Sequence, residues 1–374
     1  MKMIFLKYMV VTGVALSIIL IMGMKAFKIP QSNSIVRIAD MTVARAAHQA
    51  TLLPSGEVLI TGGCSGNCNT QLANTEIYNP ANQTFTQTPA MQLPRASHIA
   101  VALNDGRILI AGGWSNGNVT ATAEIYDLKN GNFRPVIEMN QARGGPTATL
   151  LPNGRVLIAG GQQASRISLS SAEIFDPASS GFIQVGSMKT PRAGHASVLL
   201  ENGKVLITGG HNARNGKVLS SAEIFDPTTG KFSQTGEMAF RRHKHAAVLL
   251  EDGKVLILGG ANERDLYGRY QSTEIYDPRT GQFSPGPDMN HPRFKIPDAV
   301  VITTGGEVVV AGGEAPLELY DPVNNVFDLI EGEYKDSREF STATALNNGD
   351  VLVLGGYDRK IHTSAMAWIL KTVP

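Results

Sequence analysis

The sequence predicts an all-β fold assembled from seven copies of one four-stranded unit. Gly-Gly pairs stand at Gly62-Gly63, Gly112-Gly113, Gly160-Gly161, Gly209-Gly210, Gly259-Gly260, Gly312-Gly313 and Gly355-Gly356, with successive pairs 43 to 53 residues apart. Self-similarity at a period of about 20 to 50 residues means one supersecondary unit per repeat. Composition agrees, because 39 glycines and only 6% aromatic residues suit short strands joined by tight turns. The third observation is an uninterrupted apolar run before each pair, such as Val58-Leu59-Ile60. A strand covered on both faces reads that way, whereas a half-exposed strand alternates.

The four strands follow in order within each unit. Strand a is "HQATLL" at His48 to Leu53 and its equivalents. A turn with glycine at Gly56, Gly106, Gly154, Gly203, Gly253, Gly306 and Gly349 leads to strand b, the apolar run. Pairs such as Asp105-Gly106 and Asn153-Gly154 are those a type I′ hairpin turn demands, so a and b are expected to form a hairpin of that kind. Strand c carries the string Ala/Thr-Glu-Ile-Tyr/Phe, as in Thr75-Glu76-Ile77-Tyr78 and Ala222-Glu223-Ile224-Phe225. Strand d opens on Phe85, Phe133, Phe182, Phe232, Phe283 or Phe327. Met-x-x-x-Arg then closes the unit at Arg45, Arg95, Arg143, Arg192, Arg242 and Arg293, and Arg338 fills that place in the last copy.

One stretch invites a different reading. "GGHNARNGKV" from Gly209 follows a strand like a phosphate-binding loop, but five residues separate Gly210 from Gly216 and Val218 follows Lys217. G-x-x-x-x-G-K-[ST] therefore fails at two positions, and the glycines belong to the repeat.

These strings resemble the kelch repeat, with Phe where that repeat usually has its second aromatic as Trp; the resemblance covers about residues 35 to 374. It implies a seven-bladed β-propeller, four strands per blade around a central channel. Aligning Trp368 with the strand-c tyrosines puts strand d of the last unit beyond Pro374, so that blade lacks an outer strand. Stepping back ten residues from Arg45, as Phe85 precedes Arg95, lands on Ile35. An N-terminal strand over residues 34 to 40 is therefore expected to complete the last blade and remove its open edge. On the same alignment Met366 replaces the strand-c glutamate, which leaves one arginine for other partners.

The first 29 residues are a different kind of sequence. Lys2 and Lys7 precede the uncharged apolar run of residues 8–24, and Lys25 and Lys28 follow it. This reads as a hydrophobic helix that anchors the chain in a membrane, with residues 30–374 as the propeller outside the cytoplasm; cleavage would make the protein secreted. Cys64 and Cys68, within one loop, are candidates for a local disulfide in an oxidising compartment. A net charge of +1 offers no field for nucleic acid.

Repeated residues are expected to serve the repeat. The arginines and strand-c glutamates suit ion pairs between blades, and His48, His98, His195 and His245 recur as R-x-x-H too incompletely for a metal ring. Neither a metal nor a cofactor is expected. Function should sit where the units differ, in the b–c loops, which run from three residues at Glu314 to Pro316 to twelve at Ala261 to Ser272. Those loops hold Trp114, Gln162, Arg166, His211, Arg214, Arg264, Tyr267, Arg269, Tyr270, Glu314, Tyr357 and Arg359, a composition of Arg, Tyr and Trp typical of recognition surfaces. "ANERDLYGRYQST" ranks first among them.

The expected role is a binding module for a protein, peptide or glycan. The alternative is a carbohydrate-active enzyme, an epimerase, lyase or oxidase-like protein, at the channel mouth. The resemblance extends to galactose-oxidase-like copper enzymes, but the sequence has no Tyr-His dipeptide. His211, Glu314 and Asp358 are the acid/base candidates for the enzymatic alternative.

Overall fold

The computed structural model describes residues 33–262 and 268–372, and the segment expected to form the N-terminal helix lies outside them. Among the described residues there are no helices, and none long and apolar enough to cross a membrane. Seven four-stranded antiparallel sheets follow one another. Blade 1 comprises Gln49–Leu52, Val58–Thr61, Thr75–Asn79 and Thr84–Thr88, and blades 2 to 6 repeat that order of neighbours. The innermost strand of each blade touches that of the next, and blade 7 touches blade 1, so the ring closes.

Each strand b is wholly buried, which explains its unbroken apolarity: Val58–Thr61, Val205–Thr208 and Val351–Leu354 have no exposed residue. Layers between blades are filled from both sides; Tyr78 of blade 1, for example, packs with Leu352, Leu354 and Ile369 of blade 7. On the outer half of the sheet in blades 1 to 6 the strand-c aromatic faces the strand-d phenylalanine across the ladder, with ring centroids 5.0 Å apart for Tyr78 and Phe85 and 4.8 Å for Phe225 and Phe232. Such cross-strand aromatic pairs contribute about 0.5–1.5 kcal/mol beyond the area they bury.

The N-terminal strand Ser34–Arg37 does complete blade 7. It pairs with Ala367–Lys371, Ile35 opposite Leu370, and Ile35 is 1% exposed. The alignment behind that expectation needs correcting by two residues. Val351 pairs with Leu370 where Val58 pairs with Tyr78, so Leu370, not Trp368, stands at the tyrosine position. Trp368 instead takes the place of Glu76, and strand d of this blade has its Phe equivalent at Ile35. The offset arose because Trp368 is the only aromatic of this strand c, whereas the tyrosine position itself holds Leu370.

The a–b turns also differ from expectation. In blade 1 Leu53 N donates to Glu57 O and Gly56 N to Leu53 O, closing a three-residue loop. Only the glycine has positive φ, +86° at Gly56 and +87° at Gly106, while Asp105 before it does not. This is a type I turn followed by a glycine bulge, which needs one left-handed residue where type I′ needs two. The preceding Asp or Asn acts through its side chain instead, since Asp105 Oδ1 accepts from Arg107 N at 3.1 Å.

The Gly-Gly pair is required by crowding where strand b leaves the sheet. A Cβ on Gly209 would lie 2.4 Å from Arg242 O of the next unit, and one on Gly210 2.9 Å from Ala193 O of its own. Both glycines also have positive φ, 58° and 92°. Two main chains pass on either side of the pair, and a side chain on either residue collides with one of them.

Candidate functional site

Arginine and glutamate of each unit form a fastening for the connection between blades. Arg192, on the segment entering blade 4, donates to Gly209 O at 2.7 Å, Ser221 O at 2.9 Å and Glu223 Oε1 at 2.8 Å. Glu223 in turn accepts from the main-chain N–H of Lys189 at 2.7 Å and Thr190 at 3.1 Å. Six units make this pair, from Arg45–Glu76 to Arg293–Glu318, with side chains 0–2% exposed. Burial pulls the guanidinium pKa values down and the glutamates pull them back. The connection is thus pinned to the blade it enters, rather than one sheet to the next. Arg338, facing Trp368 in place of a glutamate, turns to Asp336 at 3.4 Å and Met366 Sδ at 3.5 Å, so it is engaged.

The four recurrent histidines are structural in the same way. Each ring reaches a threonine hydroxyl of the preceding blade: His48 to Thr342 at 3.0 Å, His98 to Thr61 at 2.9 Å, His195 to Thr147 at 2.8 Å and His245 to Thr208 at 2.9 Å. Desolvation and the adjacent arginine push His48 and His195 down to about 3. These histidines are therefore neutral when folded and charge readily when unfolded. Their stabilisation is complete above pH ~6.5 and is lost as pH falls from there towards about 3. Thermal unfolding across that range should show the midpoint falling, and a His195→Gln variant should show a shallower fall.

Between that arginine and histidine lies the position that shapes the channel mouth. Its seven occupants are Ala47, Ser97, Gly145, Gly194, Lys244, Lys295 and Phe340, all at positive φ from 49° to 61°. Successive members are joined through the main chain: Ser97 N donates to Ala47 O at 2.9 Å, Lys295 N to Lys244 O at 3.1 Å, Phe340 N to Lys295 O at 2.9 Å and Ala47 N to Phe340 O at 3.0 Å. A non-glycine residue in this region costs on the order of 1 kcal/mol, and the main-chain hydrogen bond that each non-glycine member donates to its neighbour offsets it.

Small residues on blades 1 to 4 leave the mouth open, and larger ones occupy blades 5 to 7. A cavity of 690 Å³ opens there, lined by Trp114, Gln162, Arg166, His211, Lys244 and Phe340 among others. Trp114 lies against Gly144, where a Cβ would stand 2.6 Å from its Nε1. His211 meets His243 edge-on at 5.4 Å, and His243 meets Phe294 at 5.2 Å. Lys295 Nζ sits 2.9 Å from Glu339 Oε2, which shares its carboxylate with Arg269 at 2.5 Å. Both lysines lie over the Phe294 and Phe340 rings, at 5.3 to 5.9 Å.

Of the candidates read from the sequence, Trp114, Gln162, Arg166 and His211 line this cavity. Arg269 and Tyr357 belong to the adjoining wall, through Glu339 and Lys295 respectively. Tyr270 faces elsewhere, covering the Arg242 guanidinium at 5.2 Å and packing on Phe240. Glu314 pairs with Arg359 at 2.6 Å, and Arg214 is exposed on the hairpin that joins His211–Asn212 to Lys217–Val218. Arg264 and Tyr267 fall outside the described residues. Cys64 and Cys68 are bonded to each other, with Cα atoms 4.7 Å apart. Sequence reasoning missed Lys244, Lys295 and Phe340, although the residue two after each arginine was readable as a variable position within a fixed string.

A kelch motif model matches residues 47–92, 95–140, 191–239 and 242–290, half of the chain. The chain belongs to the kelch family. No curated protein matches it. The kelch propeller is similar to the solved structure of a fungal alcohol oxidase of the AA5 family in complex with copper, with a TM-score of 0.69 at 17% identity over 90% of this chain and 75% of that one. At that identity the likeness is one of fold. Copper does not fit the residues present: among the described residues no group of three or more His, Cys, Asp or Glu could hold a metal ion.

Proposed function

We propose that this kelch propeller is a binding module that captures a protein, peptide or glycan at its channel mouth, and that residues 8–24 hold it at a membrane with the propeller outside the cytoplasm. The observation that carries the first part is the 690 Å³ cavity on the face where the irregular b–c loops gather. Trp114 offers an apolar platform, Arg166 a charged fork, and Gln162 an amide, the groups that recognise sugar faces, carboxylates and peptide bonds. The Cys64–Cys68 bond supports an oxidising compartment. Of the acid/base candidates for the enzymatic alternative, His211 lines the cavity, whereas Glu314 is tied to Arg359 and Asp358 to His362.

Screening the full-length protein against glycan and peptide arrays tests the reading. The ligand found should lose about 2 kcal/mol of affinity, roughly thirtyfold, on Trp114→Ala, as a central aromatic anchor does. Arg214→Ala, at the exposed hairpin, should leave binding unchanged. A ligand held equally by wild type, Trp114→Ala and Arg166→Ala would place recognition elsewhere.

A further inference from the structure

Blade 6 departs from the other units by a two-residue insertion. In five units the arginine and the glycine carbonyl it bonds are 17 residues apart, but Arg293 and Gly312 are 19 apart. Gly306 still precedes its pair by six residues, so the extra length lies before the a–b turn. Ile296 occupies the histidine position against Gly259, and Ala299 bonds Ala311 where strand a begins. The added residues are therefore Pro297 and Asp298, a turn that puts a carboxylate into the channel wall.

Among the described residues Asp298 is the one acidic residue lining the cavity, beside strand-a residues as small as Ala148, Ala196, Ser197 and Ala247. Its side chain is open to the channel lumen, yet protein surrounds it closely enough that desolvation pushes its carboxyl up to about 6. Its polar partner is Gln49 Nε2 at 3.2 Å, from blade 1. Of the cations on neighbouring elements, Arg293 pairs with Glu318 and Lys295 with Glu339, Lys244 lies over the Phe294 and Phe340 rings, and His48 is neutral against Thr342. A carboxylate facing a walled channel is held more stably when a cation joins it there. A divalent metal needs about six oxygen ligands, which one carboxylate and one amide do not supply. An ammonium group needs only a few acceptors. Arg166, on the b–c loop of blade 3, gives the same cavity a base on its outer side.

We propose that the channel inside the mouth ring binds the protonated primary amine of a slim zwitterionic ligand, with Asp298 and Gln49 accepting the ammonium and Arg166 facing the anionic end. This goes beyond capture at the mouth, since it specifies a subsite and its ligand chemistry.

Titration calorimetry of the full-length protein with ε-aminocaproate tests it, with caproate as the same chain lacking the amine. At pH 8 ε-aminocaproate should bind at least about tenfold more tightly than caproate, and Asp298→Asn should abolish that preference. Affinity should fall as pH drops from 8 to 5 and the carboxyl takes up its proton. Because the folded carboxyl holds its proton more tightly than the unfolded one, stability falls as pH rises from about 4 to about 6. Asp298→Asn should thus unfold at a higher temperature than wild type at pH 8, with the gain vanishing near pH 4, which certifies a folded variant. Gln49→Leu, expected to weaken binding several-fold, provides a second variant. Absence of ε-aminocaproate binding, equal binding of caproate, or full affinity in Asp298→Asn would each overturn the proposal. An array ligand that depends on Trp114 would survive any of those outcomes, and ε-aminocaproate binding would survive a blank array.

Discussion

Glu223→Ala is expected to destabilise the propeller by about 3–5 kcal/mol, measured by chemical denaturation. The variant leaves the Arg192 guanidinium, 0% exposed, without its anion, and leaves the amides of Lys189 and Thr190 without an acceptor. Glu223→Gln should cost less, because the amide oxygen still accepts one of those bonds. Replacing both partners by apolar residues restores less here than at a simple buried ion pair, since Arg192 also satisfies Gly209 O and Ser221 O. A loss under about 1 kcal/mol for Glu223→Ala would mean that the connection is held by something other than this fastening.

Removing residues 1–38 should have the second large effect. The chain would then lack Ser34–Arg37, and Ala367–Lys371 would become an open edge beside Trp368 and Leu370. Ile35 alone is buried among Leu317, Val353 and Leu370, so its loss as Ile35→Ala should cost about 2–5 kcal/mol. Loss of the whole strand should give aggregated or self-paired protein in size-exclusion chromatography. A truncated chain that remains monomeric with an unchanged unfolding temperature would show that closure through this strand is dispensable.

The architecture was legible because each of its devices is repeated. Gly-Gly, Glu-Ile-Tyr and Met-x-x-x-Arg recur at fixed spacing, and repetition turns weak local signals into a count of blades and strands. Errors arose where a local rule had two solutions. Asp-Gly and Asn-Gly suit a type I′ turn, but the same pairs serve a bulged loop in which the acid or amide caps the next residue. Trp368 looked like an aromatic substitution for tyrosine, whereas cross-strand register, invisible in a linear string, puts it opposite Val353. The mouth was harder to read than the frame. Lys244, Lys295 and Phe340 are distant in sequence and meet only because consecutive blades pack side by side, and their left-handed backbone has no signature in residues other than glycine. Asp298 left a clear trace, the two-residue excess in blade 6, which stands out only once the period of the other units is known.

Because amide and carbonyl groups at the channel mouth carry the seam from one blade to the next, the side chains there are released from scaffolding duty. Alanine, serine, lysine and phenylalanine already occupy equivalent stations on the same frame. The aperture is in effect a combination lock whose tumblers can be reset one by one, with β-branched residues the poorest choice, so a single scaffold could be re-keyed for new ligands without redesigning its blades.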